Sequence, residues 1–188
     1  MSNISVCILT GGRSERMGTD KACLLYNGKQ TYIEHLCEEM SFFEERYISV
    51  NSSKSYGIQG FVEVKDELDN IGPMGGLYSV LKKNLSDAVL ILAVDMPKYT
   101  SGEAKKIIAS YKGEDVLLAR LPNKKGEPLA SIYSVKALSI IEKCIENKDY
   151  RMLSIYENAL SKGEFFTENE GCYVNHNRPT DIVNNIQG

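Results

Sequence analysis

Short apolar runs alternate with amphipathic segments along the whole chain. The apolar runs have the length of buried strands, which the pattern predicts at residues 4–9, 47–50, 61–64, 88–94, 116–119 and 129–133, with a short strand at 173–174. The amphipathic segments predict helices at residues 31–43, 72–85, 101–110, 135–147 and 151–160, with a last one from Pro179. This alternation predicts an α/β fold in which a largely parallel sheet is covered on both faces.

Two helix starts carry local signals. Thr31 and Glu34 have the spacing of a capping box, in which each side chain bonds the other residue's backbone N–H. Gly72 and Pro73 open a later helix, and proline suits a first helical turn because its missing N–H needs no partner there.

Composition indicates a single globular domain over residues 1–188, because 43% of the residues are hydrophobic and 25% are charged. The formal net charge of -3 provides no general attraction to nucleic acid or to an anionic membrane, so neither is expected as a partner. No run is long enough to span a bilayer, and the short apolar start lacks the basic leader of a signal peptide. The five cysteines are odd in number and have no C-x-x-C spacing, which favours reduced thiols in a cytoplasmic protein.

Polar residues gather where the predicted strands end. The segment from Thr10 to Lys21 follows the first strand, and Asn51, Asp66 and Asp95 follow later strands. Ligands of open α/β sheets bind beyond the carboxyl ends of the strands. We therefore expect these residues to face one crevice, although Asn51 alone could equally well be a simple helix cap.

The loop after the first strand has the chemistry of a phosphate cradle. It contains three glycines, which allow a ligand to approach the backbone closely, and Arg13, Arg16 and Lys21 supply positive charge. It is not a Walker A loop, because no glycine directly precedes the lysine, and it is not G-x-G-x-x-G, because Gly11 and Gly12 are adjacent. A P-loop ATPase and a dinucleotide-binding redox domain are both disfavoured.

Four segments resemble one enzyme family along nearly the whole chain. They are Leu-Thr-Gly-Gly…Arg-Met-Gly-Thr-Asp-Lys at 9–21, Gly-Pro-Met-Gly-Gly-Leu at 72–77, Asp-Met-Pro at 95–97 and Asn-His-Asn-Arg-Pro-Thr-Asp-Ile at 175–182. The set resembles the molybdenum cofactor guanylyltransferases, also called molybdopterin-guanine dinucleotide biosynthesis protein A. The resemblance implies a three-layer sandwich with a mostly parallel sheet, the Rossmann-like nucleotide-diphospho-sugar transferase (GT-A-like) fold.

The resemblance also assigns a nucleotide site. It implies that main-chain atoms of the first loop line GTP, and that Asn51 and Asp66 contact the nucleotide. The loop residues are Leu9, Thr10, Gly11 and Gly12. Related cytidylyltransferases carry alanine at the position of Gly11, so a missing methyl group leaves room for the larger purine. The Asp66 carboxylate suits either the guanine N1–H and amino group or the ribose hydroxyls.

The same resemblance implies the catalytic groups. Lys21, with help from Arg16, would neutralise the triphosphate and the departing pyrophosphate. Asp95 would hold Mg²⁺, which prefers one or two carboxylates together with phosphate oxygens. Asn175 or Asn177 would complete the metal shell or meet the acceptor. His176, between those two, is a minor candidate for a contact with acceptor phosphate, and His35 is expected to be structural.

The implied reaction is the Mg²⁺-dependent transfer of GMP from GTP to the terminal phosphate of molybdopterin. The implied partners are GTP, molybdopterin and the proteins that make or receive the molybdenum cofactor. Glu127 and Arg178 depart from the family pattern on the acceptor side. Two alternatives stay open, namely a cytidylyl- or sugar-phosphate nucleotidyltransferase and a non-catalytic protein that binds GTP or the cofactor.

Overall fold

The computed structural model describes residues 3–11, 20–26, 28–51, 54–83 and 86–176. The strands are β1 (Ile4–Leu9), β2 (Leu25–Tyr26), β3 (Gln30–Thr31), β4 (Arg46–Val50), β5 (Val62–Lys65), β6 (Ala88–Ala93), β7 (Val116–Arg120), β8 (Gly126–Ser134) and β9 (Lys162–Phe166). The α-helices are α1 (Tyr32–Glu39), α2 (Pro73–Lys82), α3 (Ser101–Ser110), α4 (Leu138–Glu146) and α5 (Met152–Asn158). The 3₁₀ turns among the described residues lie at Lys21–Cys23, Val135–Ala137 and Glu170–Tyr173.

Within the described ranges, seven strands form one sheet in the order β5-β4-β1-β6-β8-β7-β9. Only β8 among them runs antiparallel to its neighbours β6 and β7. The remaining neighbours pair in parallel. β2 and β3 form a separate antiparallel pair. The prediction of a mostly parallel sheet is therefore confirmed.

Both faces of the sheet are covered, so the fold has three layers. Successive strand residues point to opposite faces; on β1, Ile8 packs in the cluster that contains α1 and α3, whereas Cys7 packs in the cluster that contains α2, α4 and α5. The central strand β6 is buried along its whole length. A strand that is covered on both faces must be apolar at every position, which explains the continuous apolar run of residues 88–93.

The helix signals in the sequence correspond to real caps. The Thr31 side chain accepts a hydrogen bond from the Glu34 backbone N–H while the Glu34 side chain accepts from the Thr31 backbone N–H, which is the predicted capping box. Gly72 caps α2 with a φ of 65°, a conformation that suits glycine, and Pro73 is its first residue. α3 has the predicted bounds, whereas α1 ends at Glu39, four residues before the predicted end.

The strand predicted at residues 173–174 is wrong. Tyr173 ends a 3₁₀ turn instead, because its side chain is drawn into a buried site: its hydroxyl donates to the Glu103 carboxylate at 3.1 Å and its ring meets the Tyr99 ring edge-on. The edge strand β9 was not predicted, since Lys-Gly-Glu-Phe-Phe has no apolar run of strand length. The helix predicted from Pro179 lies outside the described residues.

The topology brings five chain segments to one edge of the sheet. The carboxyl ends of β5, β4, β1 and β6 are neighbours because these strands are adjacent and parallel. The start of β8 reaches the same edge because β8 runs the opposite way. No described helix is long and apolar enough to cross a membrane.

Candidate active site

An ion pair between Lys21 and Asp95 lies at the carboxyl edge of β6. The Lys21 Nζ is 3.1 Å from the Asp95 Oδ2, and the two side chains are 23% and 20% exposed. Lys21 begins a 3₁₀ turn whose N-cap is Asp20, and Asp95 follows β6 by two residues. Residues 74 positions apart thus meet, and both remain within reach of a ligand.

A second group surrounds Asp66, on the β5 and β4 side of the same edge. The Ser49 hydroxyl donates to the Asp66 Oδ1 at 2.6 Å. The Thr10 hydroxyl and backbone N–H both donate to the Ser49 carbonyl, at 2.7 and 3.3 Å. A Cβ added to Gly11 would lie 3.8 Å from the Asp66 Oδ2, so this carboxylate faces the glycine of the first loop. Thr10, Gly11 and Asp66 therefore belong to one site.

The glycines of α2 let the helix approach this group closely. A Cβ on Gly76 would overlap the Ser49 hydroxyl and would lie 2.8 Å from the Leu9 Cδ2. Real Cβ atoms essentially never come this close to another atom. This packing explains why the Gly-Pro-x-x-Gly segment ends in glycine: Gly76 leaves the space in which Ser49 holds Asp66.

Asp20 and Tyr56 lie between the two groups. The Tyr56 hydroxyl and the Lys54 Nζ both donate to the Asp20 Oδ2, each at 2.8 Å. The Thr10 side chain lies close enough to the Tyr56 hydroxyl to lower the pKa of Tyr56, against the larger rise that burial causes. Burial works to raise the pKa of Asp20, but the hydrogen bonds from Lys54, Tyr56 and the Ala22 backbone together hold it below its ordinary value. This anionic residue anchors the turn that carries Lys21.

Burial perturbs two further carboxyl groups at the edge. It raises the pKa of Asp66, against the lowering effect of the Ser49 hydrogen bond and with a smaller rise from the charge of Asp69. Burial also raises the pKa of Glu127, and the charge of Asp95 adds to that rise. Glu127 is 6% exposed, at the start of β8. Perturbed carboxyl groups in a cleft are typical of functional sites.

The structure describes fewer contacts, or none, for the remaining predicted site residues. Leu9 is buried at the end of β1, and its carbonyl accepts from the Val94 backbone N–H at 3.1 Å. Asn51 follows β4 and is exposed at the same edge. Asn175 is exposed beside His176, whose backbone N–H donates to the Asp95 carbonyl at 2.8 Å. Gly12, Arg16 and Asn177 lie outside the described residues.

Several residues of this edge escaped the sequence analysis as site residues. Ser49 is a polar residue inside the apolar strand Tyr-Ile-Ser-Val, which is a usable signal. Tyr56 and Lys54 carry no such signal, because their partner Asp20 is more than thirty positions away. His176, which was a minor candidate for a phosphate contact, is only 4% exposed and bonds Tyr32 instead.

A groove of about 640 Å³ lies elsewhere, beside α1 and the start of α3. Its lining includes Tyr26, His35, Phe42 and Lys105, but none of the predicted site residues. Tyr26 stacks on His35 with ring centroids 4.1 Å apart, which agrees with the structural role expected for that histidine. The polar groups that converge at the sheet edge make the edge, and not this groove, the candidate active site.

The edge suits a divalent cation that is bound together with a nucleotide. Described residues contain no cluster of three or more His, Cys, Asp or Glu that could hold a metal alone. Mg²⁺ commonly takes only one or two carboxylates and completes its shell with phosphate oxygens and water. The partly exposed Asp95 carboxylate, already paired with the cationic Lys21 amine, fits that role.

Comparisons with known proteins agree with this geometry. Residues 6–162 match the family model of the MobA-like NTP transferase domain. A Flavobacterium johnsoniae protein named "Probable molybdenum cofactor guanylyltransferase" is 26% identical across 99% of this chain and 97% of its own length. An Aquifex aeolicus protein of the same name is 30% identical across 84% of this chain and 78% of its own length.

One solved structure shows the same fold. It is that of molybdopterin-guanine dinucleotide biosynthesis protein A from Archaeoglobus fulgidus, with a TM-score of 0.78 and 21% identity. The match covers 96% of this chain and 95% of that chain. It confirms the nucleotidyltransferase type of α/β fold that the sequence predicts.

Proposed function

Because this chain belongs to the family of MobA-like NTP transferase domains and is a nucleotidyltransferase, we propose that it transfers GMP from GTP to the terminal phosphate of molybdopterin. The products are molybdopterin guanine dinucleotide and pyrophosphate. The observation that carries the proposal is the Lys21–Asp95 pair, 3.1 Å apart, at the same strand edge as Thr10, Gly11 and Asp66. One edge of the sheet thus offers groups for a nucleotide, its phosphates and its metal.

The guanosine occupies the space between the first loop and Asp66 in this proposal. The absence of a side chain at Gly11 leaves room for a purine beside the Asp66 Oδ2. Ser49 already engages Oδ1, so Oδ2 is the oxygen that accepts hydrogen bonds from the guanine edge or the ribose. Asn51 adds a polar contact at the end of β4. In this arrangement the α-phosphate would lie toward β6.

Transfer proceeds by direct displacement at phosphorus. An oxygen of the acceptor's terminal phosphate attacks the α-phosphorus of GTP, the bond to the bridging α–β oxygen breaks, and pyrophosphate leaves with that electron pair. Lys21 and Arg16 neutralise the leaving charge, while Asn175 and Asn177 meet the acceptor. Positioning and preorganised charge account for most of the rate in such a site. Asp95 would hold Mg²⁺, and the bound cation would neutralise phosphate charge as a Lewis acid.

The domain and its location complete the proposal. Residues 1–188 form a single nucleotidyltransferase domain that works in the cytoplasm. The five free cysteines, four of them buried, fit a reducing compartment. Proteins that make the molybdenum cofactor or receive its dinucleotide form are the expected macromolecular partners.

Product analysis tests the proposal directly. The protein is incubated with molybdopterin, MgCl₂ and GTP, and the guanine dinucleotide and pyrophosphate are both quantified. We expect equal amounts of the two products, and none without acceptor or in the presence of EDTA. Parallel reactions with ATP, CTP and UTP measure which base the protein prefers. The rise in Tm that each nucleotide causes measures the same preference in binding.

Other outcomes separate the alternatives. Efficient transfer from CTP would make the chain a cytidylyltransferase, and turnover only with a sugar phosphate would change the acceptor class. Thermal protection by GTP without any pyrophosphate would indicate a binding protein and would contradict the proposed reaction.

A further inference from the structure

His176 makes two bonds that connect distant parts of the site. Its backbone N–H donates to the Asp95 carbonyl at 2.8 Å. Its Nδ1 lies 3.1 Å from the Tyr32 hydroxyl, and the two rings meet edge-on with centroids 5.9 Å apart. One residue therefore joins the segment that carries Asn175 both to the residue proposed as metal ligand and to the first residue of α1.

These bonds close a ring of contacts around the catalytic pair. The Tyr32 backbone N–H donates to the Leu24 carbonyl at 2.8 Å, and the Leu24 N–H donates to the Lys21 carbonyl at 3.1 Å. Lys21 in turn bonds Asp95. The path Lys21–Leu24–Tyr32–His176–Asp95 thus returns to its start. The backbones of Lys21 and Asp95 are held on one side by their own side chains and on the other by the Tyr32–His176 bond.

His176 is buried whereas its neighbour Asn175 is exposed, so the two residues have different roles. His176 is 4% exposed and Tyr32 is 1% exposed, so neither ring is open to a substrate. Asn175, one residue earlier, is exposed. Successive residues of an extended segment face opposite ways. A buried ring at 176 therefore fixes the backbone that carries the exposed amide at 175, next to the backbone bond from His176 to Asp95.

We infer that His176 is a positioning residue of the transfer reaction, which acts through its bond to Tyr32 and sets the acceptor-side segment against Asp95. This inference rests on the proposed function. It assigns His176 no contact with substrate. The base site around Asp66 and Ser49 is built by contacts with β4 and α2, which do not include Tyr32 or His176.

The inference predicts a selective kinetic defect. A neutral hydrogen bond contributes about 0.5–1.5 kcal/mol, so its loss should change a positioning-dependent constant by about two- to tenfold. Both Tyr32→Phe and His176→Phe remove this bond while they keep two aromatic rings in contact. We expect each to raise the KM for molybdopterin or lower kcat by this factor, with a smaller rise in the KM for GTP.

A double-mutant cycle tests whether the bond itself is responsible. The double variant should be no worse than the poorer single variant, because both substitutions remove the same interaction. Tyr111→Phe is the matched control, since the Tyr111 hydroxyl also makes one hydrogen bond, to the Glu114 carbonyl at 3.0 Å. It should lower the midpoint of thermal unfolding similarly and leave every kinetic constant unchanged.

The possible results are distinct. Wild-type protein that forms no dinucleotide refutes the proposed function, and this inference with it. If the wild type turns over but Tyr32→Phe has unchanged acceptor kinetics, the inference fails while the proposed function stands. Equal rises in the KM values for GTP and for the acceptor have the same meaning. If His176→Phe does not fold, Tyr32→Phe compared with Tyr111→Phe still decides the question.

Discussion

Replacement of Gly76 by alanine tests whether close helix packing builds the nucleotide site. The new methyl group would overlap the Ser49 hydroxyl and would lie 2.8 Å from the Leu9 Cδ2 and 3.1 Å from the Ser49 Cβ. Leu9 ends β1 and Ser49 orients Asp66. The substitution therefore forces apart α2 and two strands at the point where the base is proposed to bind.

Opposing effects determine the size of the change in stability. An extra methyl group in a packed interior costs about 1–3 kcal/mol. Alanine in a helix interior is favoured over glycine by about 0.5–1 kcal/mol. The middle values of the two ranges leave a net loss of about 1 kcal/mol in the free energy of unfolding, or roughly 2–4 °C in Tm for a chain of this size.

Nucleotide affinity should fall as well. Displacement of Ser49 weakens its hydrogen bond to the Asp66 carboxylate, and bonds to charged groups contribute about 1.5–3 kcal/mol. Partial loss of that orientation should raise the Kd for GTP about tenfold, as measured by titration calorimetry with Mg²⁺ present.

Two companion variants make the test specific. Gly102→Ala, also in a helix, places its methyl group 3.7 Å from the nearest atom, the Thr100 Oγ1, so it should be neutral or stabilising. Ser49→Ala combined with Gly76→Ala removes the worst overlap and should recover part of the lost Tm without restoring GTP affinity. Wild-type stability and affinity in Gly76→Ala would refute the packing argument, as would a double variant no more stable than Gly76→Ala.

Further predictions concern the polar groups of the cleft. Asp95→Ala and Lys21→Ala should each lower kcat at least about a hundredfold, because the pair lies where the metal and the phosphates are proposed to bind; near-normal turnover contradicts their roles. Gly11→Ala should raise the Kd for GTP about tenfold more than the Kd for CTP in a binding titration. Its methyl group lies in ordinary contact with Asp66, so only the larger base conflicts with it. Equal rises in the two Kd values would contradict the steric explanation. Burial raises the pKa of Asp66, so its carboxylate takes up a proton sooner on acidification than an ordinary aspartate does. The Kd for GTP should therefore rise as the pH falls through that raised pKa, whereas the Kd of Asp66→Asn should not change over the same pH range.

The fold followed from the sequence wherever burial dictates the pattern. β6 is covered on both faces, so its six residues are all apolar and the strand is unmistakable. β9 lies at the edge of the sheet, where half of its side chains face solvent and no apolar run is needed. Tyr173 misled the prediction because an aromatic residue beside valine favours a strand. Its hydroxyl instead bonds Glu103, seventy positions away, which local propensity cannot reveal.

The site was predictable to the extent that its residues follow strands. Asp95 stands directly after an apolar run and Asp66 directly after β5, so the topological rule for parallel sheets places both at one edge. The groups that hold them in place follow no such rule. Ser49 lies within a strand and Tyr32 at a helix start, and each acts through a contact that only the tertiary fold creates. Sequence thus identifies the groups proposed to meet the ligand better than those that position them.

The Lys21–Asp95 pair also constrains how the site receives its ligands. As long as the amine and the carboxylate are bonded at 3.1 Å, each partly neutralises the other. A bound triphosphate attracts Lys21 and a bound cation attracts Asp95, so both partners must be exchanged when the ligand enters. Free nucleotide offers a new partner to the lysine alone and would leave the Asp95 charge facing phosphate, whereas a nucleotide bound together with Mg²⁺ satisfies both. GTP affinity should therefore depend steeply on Mg²⁺ in the wild type and only weakly in Asp95→Asn. Equal Mg²⁺ dependence in the two proteins would show that Asp95 does not hold the metal.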